Sequence, residues 1–260
     1  MDTSLAGRIA VVTGASAGIG RSIAADIARR GGSAVVNARR EAPLHKLAET
    51  VNAELGREAL ITLAGDAAQL TTIHRLMDRA KDHFGHQADL VVVNAGRGLA
   101  GSIMTSDMAQ WEDMVQTNLL GAARLMREAG ERMVASAAAE TWPGKPRDIV
   151  VLGSNVGRHI SPFSSMYGAT KFAVNSLAEA QRRELGPKGV RVSLIEPGIV
   201  KTEFQAVAGY DEKSFGELME KFAPVLEPDD IARTIAFICA QPAGVHLCDV
   251  MIRGTRQDYP

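Results

Sequence analysis

The stretch IAVVTGASAGIG, residues 9–20, predicts a buried strand followed at once by a glycine-rich turn and a helix. Its first five residues are apolar or β-branched, which is typical of a strand covered on both faces. After the turn, Ile19, Ile23 and Ile27 recur every four residues, so one helix face can pack against a sheet. This order brings backbone N–H groups and a helix N-terminus together, an arrangement in which proteins bind a pyrophosphate.

Glycine is required in this turn for geometric reasons. Gly14 can form the tight turn, Gly18 lets the backbone approach a phosphate without a Cβ, and Gly20 lets helix and strand pack closely. The spacing Gly-x-x-x-Gly-x-Gly differs from the general Gly-x-Gly-x-x-Gly fingerprint, and an ordinary glycine-rich turn is the alternative. Because the turn follows the first strand of an alternating pattern, we expect dinucleotide binding through Gly14, Ser16, Gly18, Ile19 and Gly20.

Short β-branched runs alternate with amphipathic helical patterns along the whole chain, which predicts repeated βαβ units. Most of the runs are continuously apolar, as expected of a parallel sheet with helices on both faces. The fold class is therefore α/β, with a doubly wound, seven-stranded parallel sheet. The predicted strands are Ile9–Thr13, Ala34–Asn37, Ala59–Ala64, Leu90–Val93, Ile149–Leu152, Val190–Ile195 and Val250–Ile252.

Two long helices are predicted, at about Asp107–Ala137 and Ser165–Leu185. The segment Ala138–Asp148, which contains Trp142 and Pro143, is predicted to be a surface loop. The sequence shows no internal repeat and no domain boundary, so the 260 residues are expected to form a single domain.

Composition excludes several classes of function. The formal net charge is -1, with 29 Lys and Arg against 30 Asp and Glu, so no strong field would attract nucleic acid or a membrane surface. The two cysteines, Cys239 and Cys248, cannot form a disulfide framework and lack metal-ligand spacing. Without a signal peptide or an apolar run of about 18 residues, the chain is expected to be cytoplasmic, with no membrane partner and no metal.

Tyr167 and Lys171 lie four positions apart in the run YGATK, so on a helix they share one face. Tyrosine has an ordinary pKa of about 10, and bringing it near neutrality requires roughly 4 kcal/mol of preferential stabilisation of the phenolate. The ammonium of Lys171, together with a cationic nicotinamide, could supply it. A solvated surface pair is the alternative for these two residues taken alone.

Five motifs together resemble the short-chain dehydrogenase/reductase family, in its compact single-domain branch. They are TGASAGIG, the NAG of Asn94–Gly96, Ser154, YGATK, and the PGIVKT of Pro197–Thr202. The resemblance covers nearly the whole chain and implies a Rossmann-type fold and an enzyme. It also implies catalytic roles for Asn118, Ser154, Tyr167 and Lys171.

By this resemblance, Ser154 would hydrogen-bond the substrate oxygen, Tyr167 would donate or accept the proton, and Lys171 would also hold the nicotinamide ribose. Asn118 would hold a water in a proton relay. The alternatives are a strand-end hydroxyl that caps backbone for Ser154, and a polar group that satisfies a helix irregularity for Asn118.

The resemblance also implies the cofactor contacts. Asp66 and Ala67 would lie at the adenine ring, the Asn94–Gly96 segment along the adenosine, and the Pro197–Thr202 loop at the carboxamide. Three positions depart from the family pattern: Val93 replaces an asparagine, Gly153 a frequent second serine, and Ala17 a residue that is often basic in NADP users. The expected contact residues are Asp66, Ala67, Asn94, Ala95, Gly96, Tyr167, Lys171, Pro197, Gly198, Val200 and Thr202.

The run AVVNARRE after the second predicted strand favours NADP(H) over NAD(H). NAD-dependent relatives carry an acid at the strand end, where this chain has Ala38 followed by Arg39 and Arg40. Two guanidinium groups can hold one 2′-phosphate. The counter-reading is that Glu41, at the start of the next helix, is the ribose acid.

The segment of residues 203–227 follows the last motif, where this family folds a variable lid over the substrate. It contains Phe204, Tyr210, Phe215, Met219 and Phe222, which would line a partly apolar pocket or pack the lid onto the core. Residues before the tyrosine could also touch substrate, namely His159, Ser161, Phe163 and Met166. The tail MIRGTRQ resembles a subgroup that reduces aldehydes or oxidises 3-hydroxy acids.

The sequence thus predicts an NADP-dependent oxidoreductase that transfers a hydride between the cofactor and a small carbonyl or alcohol. The alternative is a catalytically silent sensor or scaffold that binds NADP(H). By resemblance, a homotetramer or homodimer is expected, with the two long helices pairing across a two-fold axis. Small residues would allow their close approach: Ala135, Ala137, Ala173, Ala178 and Ala180.

Overall fold

Seven parallel strands form one sheet in the order β3-β2-β1-β4-β5-β6-β7. The computed structural model describes residues 3–138, 140–141 and 144–258. The strands are β1 (Ile9–Thr13), β2 (Ser33–Ala38), β3 (Leu60–Ala64), β4 (Leu90–Val93), β5 (Asp148–Leu152), β6 (Arg191–Pro197) and β7 (Asp249–Ile252). The predicted α/β fold class is confirmed, with all seven strands at the predicted places and ends that differ by at most two residues.

Helices connect the strands and cover both faces of the sheet. They are α1 (Gly18–Arg29), α2 (Glu41–Leu55), α3 (Leu70–Phe84), α4 (Trp111–Val115), α5 (Ala122–Ala137), α6 (Ser165–Leu185), α7 (Phe204–Ala208), α8 (Glu212–Phe222) and α9 (Pro228–Cys239). One buried cluster lies between the sheet and α1, α2 and α9. A second lies between the other face and α3, α5 and α6.

The predicted helix Asp107–Ala137 is interrupted. A short 3-10 turn precedes α4, and residues Gln116–Gly121 form a wider π turn between α4 and α5. Within that turn Asn118 is buried and hydrogen-bonds away from its own helix. The amphipathic pattern continues through the interruption, so the pattern alone cannot reveal it.

Two other predictions need correction. Asp148 begins β5 instead of ending a loop, and Trp142 and Pro143 of that predicted loop lie outside the described residues. Ala178 belongs to the second buried cluster, at 2% exposure, so it cannot contact another subunit.

Buried ion pairs hold the amino ends of the central strands. Asp148 accepts hydrogen bonds from Arg8 at 2.7 Å and from Arg191 at 2.7 and 2.9 Å, and Arg8 also bonds Asp89. These charges are paired and hydrogen-bonded, as burial requires. The opposite, carboxyl edge of the sheet is left for the cavity described next.

Candidate active site

A cavity of about 1220 Å³ opens at the carboxyl edge of the sheet. Ligands of open α/β sheets bind outside the carboxyl ends of the strands, so this is the expected place for a site. The glycine-rich turn lines one end, and Tyr167 lines the other. All of the proposed cofactor residues line it, from Gly14 to Thr202, together with Ser154 and Lys171. Asn118 lies behind the wall.

The glycine-rich turn has the shape that an anion site needs. Gly14 and Gly18 have φ values of 68° and 51°, in the left-handed region that favours glycine. A Cβ on Gly20 would lie 2.5 Å from the Gly14 carbonyl oxygen, so only glycine fits there. Helix α1 starts at Gly18 after Ala17, whose side chain has no acceptor, and no acid lies in its first turn. Its first N–H groups therefore point into the cavity edge without a competing carboxylate.

The ends of β1 and β4 are fastened by a hydroxyl and an amide. Thr13 Oγ1 accepts hydrogen bonds from the backbone N–H groups of Asn94 and Ala95, both at 3.1 Å. Asn94 Nδ2 donates to the Thr13 carbonyl at 2.8 Å. Asn94 thus fixes the glycine-rich turn from behind.

Asp66 and Asn37 shape the floor beside β2 and β3. Asp66 accepts hydrogen bonds from the Ala68 N–H at 2.9 Å and the Gln69 side chain at 3.2 Å. Asn37 is fully buried, and its Nδ2 donates to the carbonyls of Leu63 and Gly65. Sequence reasoning missed Asn37, because an asparagine inside an apolar run signals only a strand position.

Two arginines follow β2 at the cavity edge. Arg40 lies 3.4 Å from both Ser16 Oγ and Glu203 Oε2, and its side chain is 58% exposed. Arg39 lines the same edge. Glu41, the alternative ribose acid, begins α2 and lies 3.5 Å from His45 on its own helix.

The predicted catalytic side chains come from β5 and α6. Tyr167 and Lys171 lie on the buried face of α6, with Lys171 Nζ 5.8 Å from the Tyr167 ring centroid. Lys171 Nζ donates to the Leu152 carbonyl at 2.7 Å. Ser154 lies just after β5, where its Oγ donates to Asn155 Oδ1 at 3.3 Å and accepts from the Val156 N–H at 3.4 Å.

Burial dominates the proton equilibria of this group. It raises the pKa of Tyr167 above its ordinary value, while the hydrogen bond with Ser154 lowers it and nearby Tyr210 raises it. Burial also lowers the pKa of Lys171 to about 8. The pKa of Tyr167 is therefore not brought toward neutrality by these contacts, and a phenolate requires further positive charge beside it.

The Asn118 side chain is largely occupied by other groups. Its Oδ1 accepts from the Arg97 N–H at 2.8 Å, and its Nδ2 donates to the Arg97 carbonyl at 2.8 Å and to Thr170 Oγ1 at 3.2 Å. The side chain thus ties the segment after β4 to α6. These bonds do not go to the backbone of the π turn, so they do not satisfy a helix irregularity, and the role of Asn118 in a proton relay stays a prediction.

The segment of residues 203–227 covers the Tyr167 end of the cavity with α7 and α8. The Phe204 ring packs edge-on against Tyr167 with centroids 5.5 Å apart, and Tyr210 and Phe215 also line the cavity. Phe222 is instead buried in the core at 1% exposure, and Met219 does not line the cavity.

Of the four residues before Tyr167 that were predicted to touch substrate, only some line the cavity. Ser161 and Phe163 line the cavity, Met166 packs behind Tyr167, and His159 is exposed away from it.

The C-terminal tail has a role that the sequence did not reveal. Gln257 is buried, and its Oε1 accepts from the Ile199 N–H at 3.0 Å. The Gly198 N–H donates to the Ile252 carbonyl at 2.7 Å. The end of MIRGTRQ therefore holds the loop that begins at Pro197.

A family model described as short chain dehydrogenase matches residues 8–213. The chain belongs to the short-chain dehydrogenase family. It is 30% identical over 246 residues to an uncharacterized oxidoreductase of Staphylococcus epidermidis, covering 95% of this chain and 96% of that protein. The family resemblance predicted from the motifs is confirmed, and the chain is an oxidoreductase of this type.

Solved short-chain dehydrogenase structures share the whole fold. An alcohol dehydrogenase from the archaeon Thermococcus sibiricus, complexed with 5-hydroxy-NADP, has a TM-score of 0.81 and 26% identity, covering 97% of this chain and 99% of its own. The closed form of a serine dehydrogenase complexed with NADP+ has a TM-score of 0.85 and 26% identity, covering 96% of both chains.

The described residues contain neither a cluster of metal ligands nor a membrane-spanning helix. No three His, Cys, Asp or Glu side chains are grouped so that they could hold a metal ion. Within the same residues, no helix has the length and apolar character needed to cross a bilayer.

Proposed function

We propose that this short-chain dehydrogenase interconverts a small carbonyl compound and its alcohol with NADP(H), using Tyr167 as the general acid or base. The observation that carries the proposal is the shared cavity, lined by the glycine-rich turn at one end and by Ser154, Tyr167 and Lys171 at the other. A dinucleotide is long enough to need both ends.

The cofactor-binding residues fit a dinucleotide. The start of α1 lacks an acid, and the left-handed Gly14 and Gly18 leave room for a pyrophosphate. Asp66 and Ala67 are proposed to contact the adenine, Asn94–Gly96 the adenosine side, and Pro197–Thr202 the carboxamide. When bound, the nicotinamide supplies or accepts a hydride at its C4.

The proton is moved by the chain's own side chains. Ser154 and Tyr167 both line the cavity and lie close enough for Ser154 to affect the pKa of Tyr167, so a substrate oxygen placed between them can accept a hydrogen bond from each. Tyr167 then gives its proton to that oxygen during reduction and takes it back during oxidation. Lys171 stabilises the phenolate, because its ammonium lies beside the ring in a buried site. Asn118 positions α6, and the remaining lone pair of its Oδ1 is proposed to hold the water of the proton relay.

NADP(H) is favoured over NAD(H) by the edge after β2. Arg40 and the Ser16 hydroxyl already lie within 3.4 Å of one another, and Arg39 is beside them. Three donors of this kind match a 2′-phosphate, while Ala38 offers no carboxylate to repel it.

The proposal includes a lid and an assembly. Residues 203–227 act as the lid over substrate, since α7 and α8 cover Tyr167. A homotetramer or homodimer forms through α5 and α6, which is supported by Phe172 on α6, an apolar side chain that is 42% exposed. A cytoplasmic location is supported by the two free cysteines.

The test is turnover of NADPH with a panel of aldehydes, ketones and quinones, for the wild-type protein and for Tyr167→Phe. The variant keeps the ring but loses the transferable proton, so activity should fall about a hundredfold or more with NADPH affinity nearly unchanged. If no panel member is turned over while NADPH binds, the silent sensor or scaffold becomes the better account.

A further inference from the structure

We propose that the substrate is an uncharged carbonyl compound with an extended apolar body, and that Phe163 and Val207 hold that body at the cavity mouth. This inference rests on the proposed function and deepens it. It concerns the Tyr167 end of the cavity only.

Three segments form the cavity mouth, and backbone hydrogen bonds join them. They contain Ala100 and Gly101, Phe163, and Val207 and Ala208. The Gly101 N–H donates to the Phe163 carbonyl at 2.7 Å, and the Ala100 N–H donates to the Ala208 carbonyl at 2.9 Å. Phe163 and the neighbour of Ala208, Val207, therefore lie on either side of the same short segment. The three segments are therefore hydrogen-bonded to one another, and together they are called the frame of the mouth.

Apolar side chains are exposed on this frame. Phe163 and Val207 line the cavity, yet they are 69% and 68% exposed. Further in, Phe204 packs against Tyr167, and Phe215 and Leu218 also line the wall. Exposed apolar surface that continues into an apolar pocket is typical of a ligand-binding site.

The polar groups of the frame bind each other. Ser102 Oγ lies 3.2 Å from Thr105 Oγ1, which also accepts from the Ser102 N–H at 3.0 Å. Burial raises the pKa of Tyr210, and the nearby Ser164 hydroxyl opposes that rise. Because these hydroxyls already bond within the loops, they are less available to hydrogen-bond a substrate with several hydroxyl groups.

The charges at this end disfavour an anionic substrate. Among the described residues that line this end, the cations are Lys171, whose Nζ donates to the Leu152 carbonyl, and Arg97, which is bound by Asp113 and Gln110. Asp211 also lines the mouth, and its hydrogen bonds from Ser214 lower its pKa, so it is ionised at neutral pH. A terminal carboxylate or phosphate would meet this negative charge without a free partner.

The first experiment measures kcat/KM for straight-chain aldehydes of increasing length with NADPH. Each additional methylene group that is buried against the apolar side chains should raise kcat/KM by about two- to fourfold, until the aldehyde extends beyond those side chains. The double variant Phe163→Ala, Val207→Ala should flatten this series while NADPH affinity stays unchanged. Phe237→Ala is the matched control, since Phe237 is 61% exposed on α9 outside the cavity, and it should keep the wild-type slope.

The second experiment compares each aldehyde with the analogue of equal length that ends in a carboxylate. The carboxylate should lower kcat/KM at least about tenfold, and Asp211→Asn, which keeps a helix-capping side chain, should recover part of the loss. A flat length series, or a carboxylate that reacts as well as the neutral aldehyde, overturns this inference even if turnover depends on Tyr167. Absence of turnover with every aldehyde, ketone and quinone of the panel overturns the proposed function instead.

Discussion

Lys171→Met should change how the stability of the folded protein depends on pH. Burial lowers the pKa of Lys171 from 10.5 to about 8, so between these values the unfolded chain binds a proton that the folded chain has lost. Stability therefore rises with pH in this window. Because a tenfold change in proton affinity corresponds to about 1.4 kcal/mol, the charged lysine costs the folded state about 3 kcal/mol at neutral pH.

Most of that cost disappears as the pH rises. Between pH 7 and pH 10, the wild-type protein should gain about 2–3 kcal/mol of unfolding free energy relative to Lys171→Met. The quantity to compare is the change in unfolding free energy between two pH values. At any single pH the variant also leaves the Leu152 carbonyl without its hydrogen-bond donor, which destabilises the folded state by about 1–3 kcal/mol.

Urea unfolding of both proteins at several pH values measures this difference directly. The control is Lys188→Met, which removes a half-exposed lysine at the surface, where burial does not act. It should leave the pH dependence of the wild type unchanged. If the unfolding free energies of wild type and Lys171→Met changed with pH in the same way, the folded protein would not disfavour the charged form of this lysine.

Three other predictions test the cofactor edge and the assembly. Arg39→Ala should weaken NADPH binding about ten- to a hundredfold and leave NADH binding nearly unchanged, since a charged hydrogen bond contributes roughly 1.5–3 kcal/mol; equal losses for both cofactors would refute a phosphate contact. Glu203→Gln should strengthen NADPH binding about two- to fivefold by removing the carboxylate 3.4 Å from Arg40, without affecting NADH; weaker NADPH binding in a titration would contradict this. Light scattering at micromolar concentration should give a tetramer or dimer mass, and a monomer mass would reject pairing through α5 and α6.

The strands were predictable because parallel strands buried on both faces leave long apolar runs. The start of β5 was not, because its first residue is Asp148. A charged residue next to an apolar run normally indicates a loop. Here Asp148 accepts two hydrogen bonds from Arg191 of the neighbouring β6, so the strand extends through it.

The site residues could be predicted because their motifs are local. Tyr167 and Lys171 share a helix face by their spacing alone, and the glycine-rich turn needs only its own backbone. The proton affinities could not be predicted in the same way, since they depend on burial by distant segments. The sequence suggested that Lys171 lowers the pKa of Tyr167, whereas burial raises the pKa of Tyr167 overall.

Contacts between distant segments were also missed. Gln257 bonds the Ile199 N–H across 58 positions, and Asn118 bonds Arg97 across 21. No local pattern indicates either contact. Both fix loops beside the cavity, so the geometry of the site depends on contacts that the motifs do not show, even at Asn118, which the resemblance had named.

The central claim is that this chain transfers a hydride while Tyr167 moves the proton. The most direct measurement uses NADPH with deuterium at both hydrogen positions of nicotinamide C4, a straight-chain aldehyde, and mass spectrometry of the alcohol formed. Deuterium should appear on the carbinol carbon with the wild-type protein, and Tyr167→Phe should form this product about a hundredfold more slowly or worse. Alcohol without deuterium, or undiminished product from Tyr167→Phe, would contradict the mechanism.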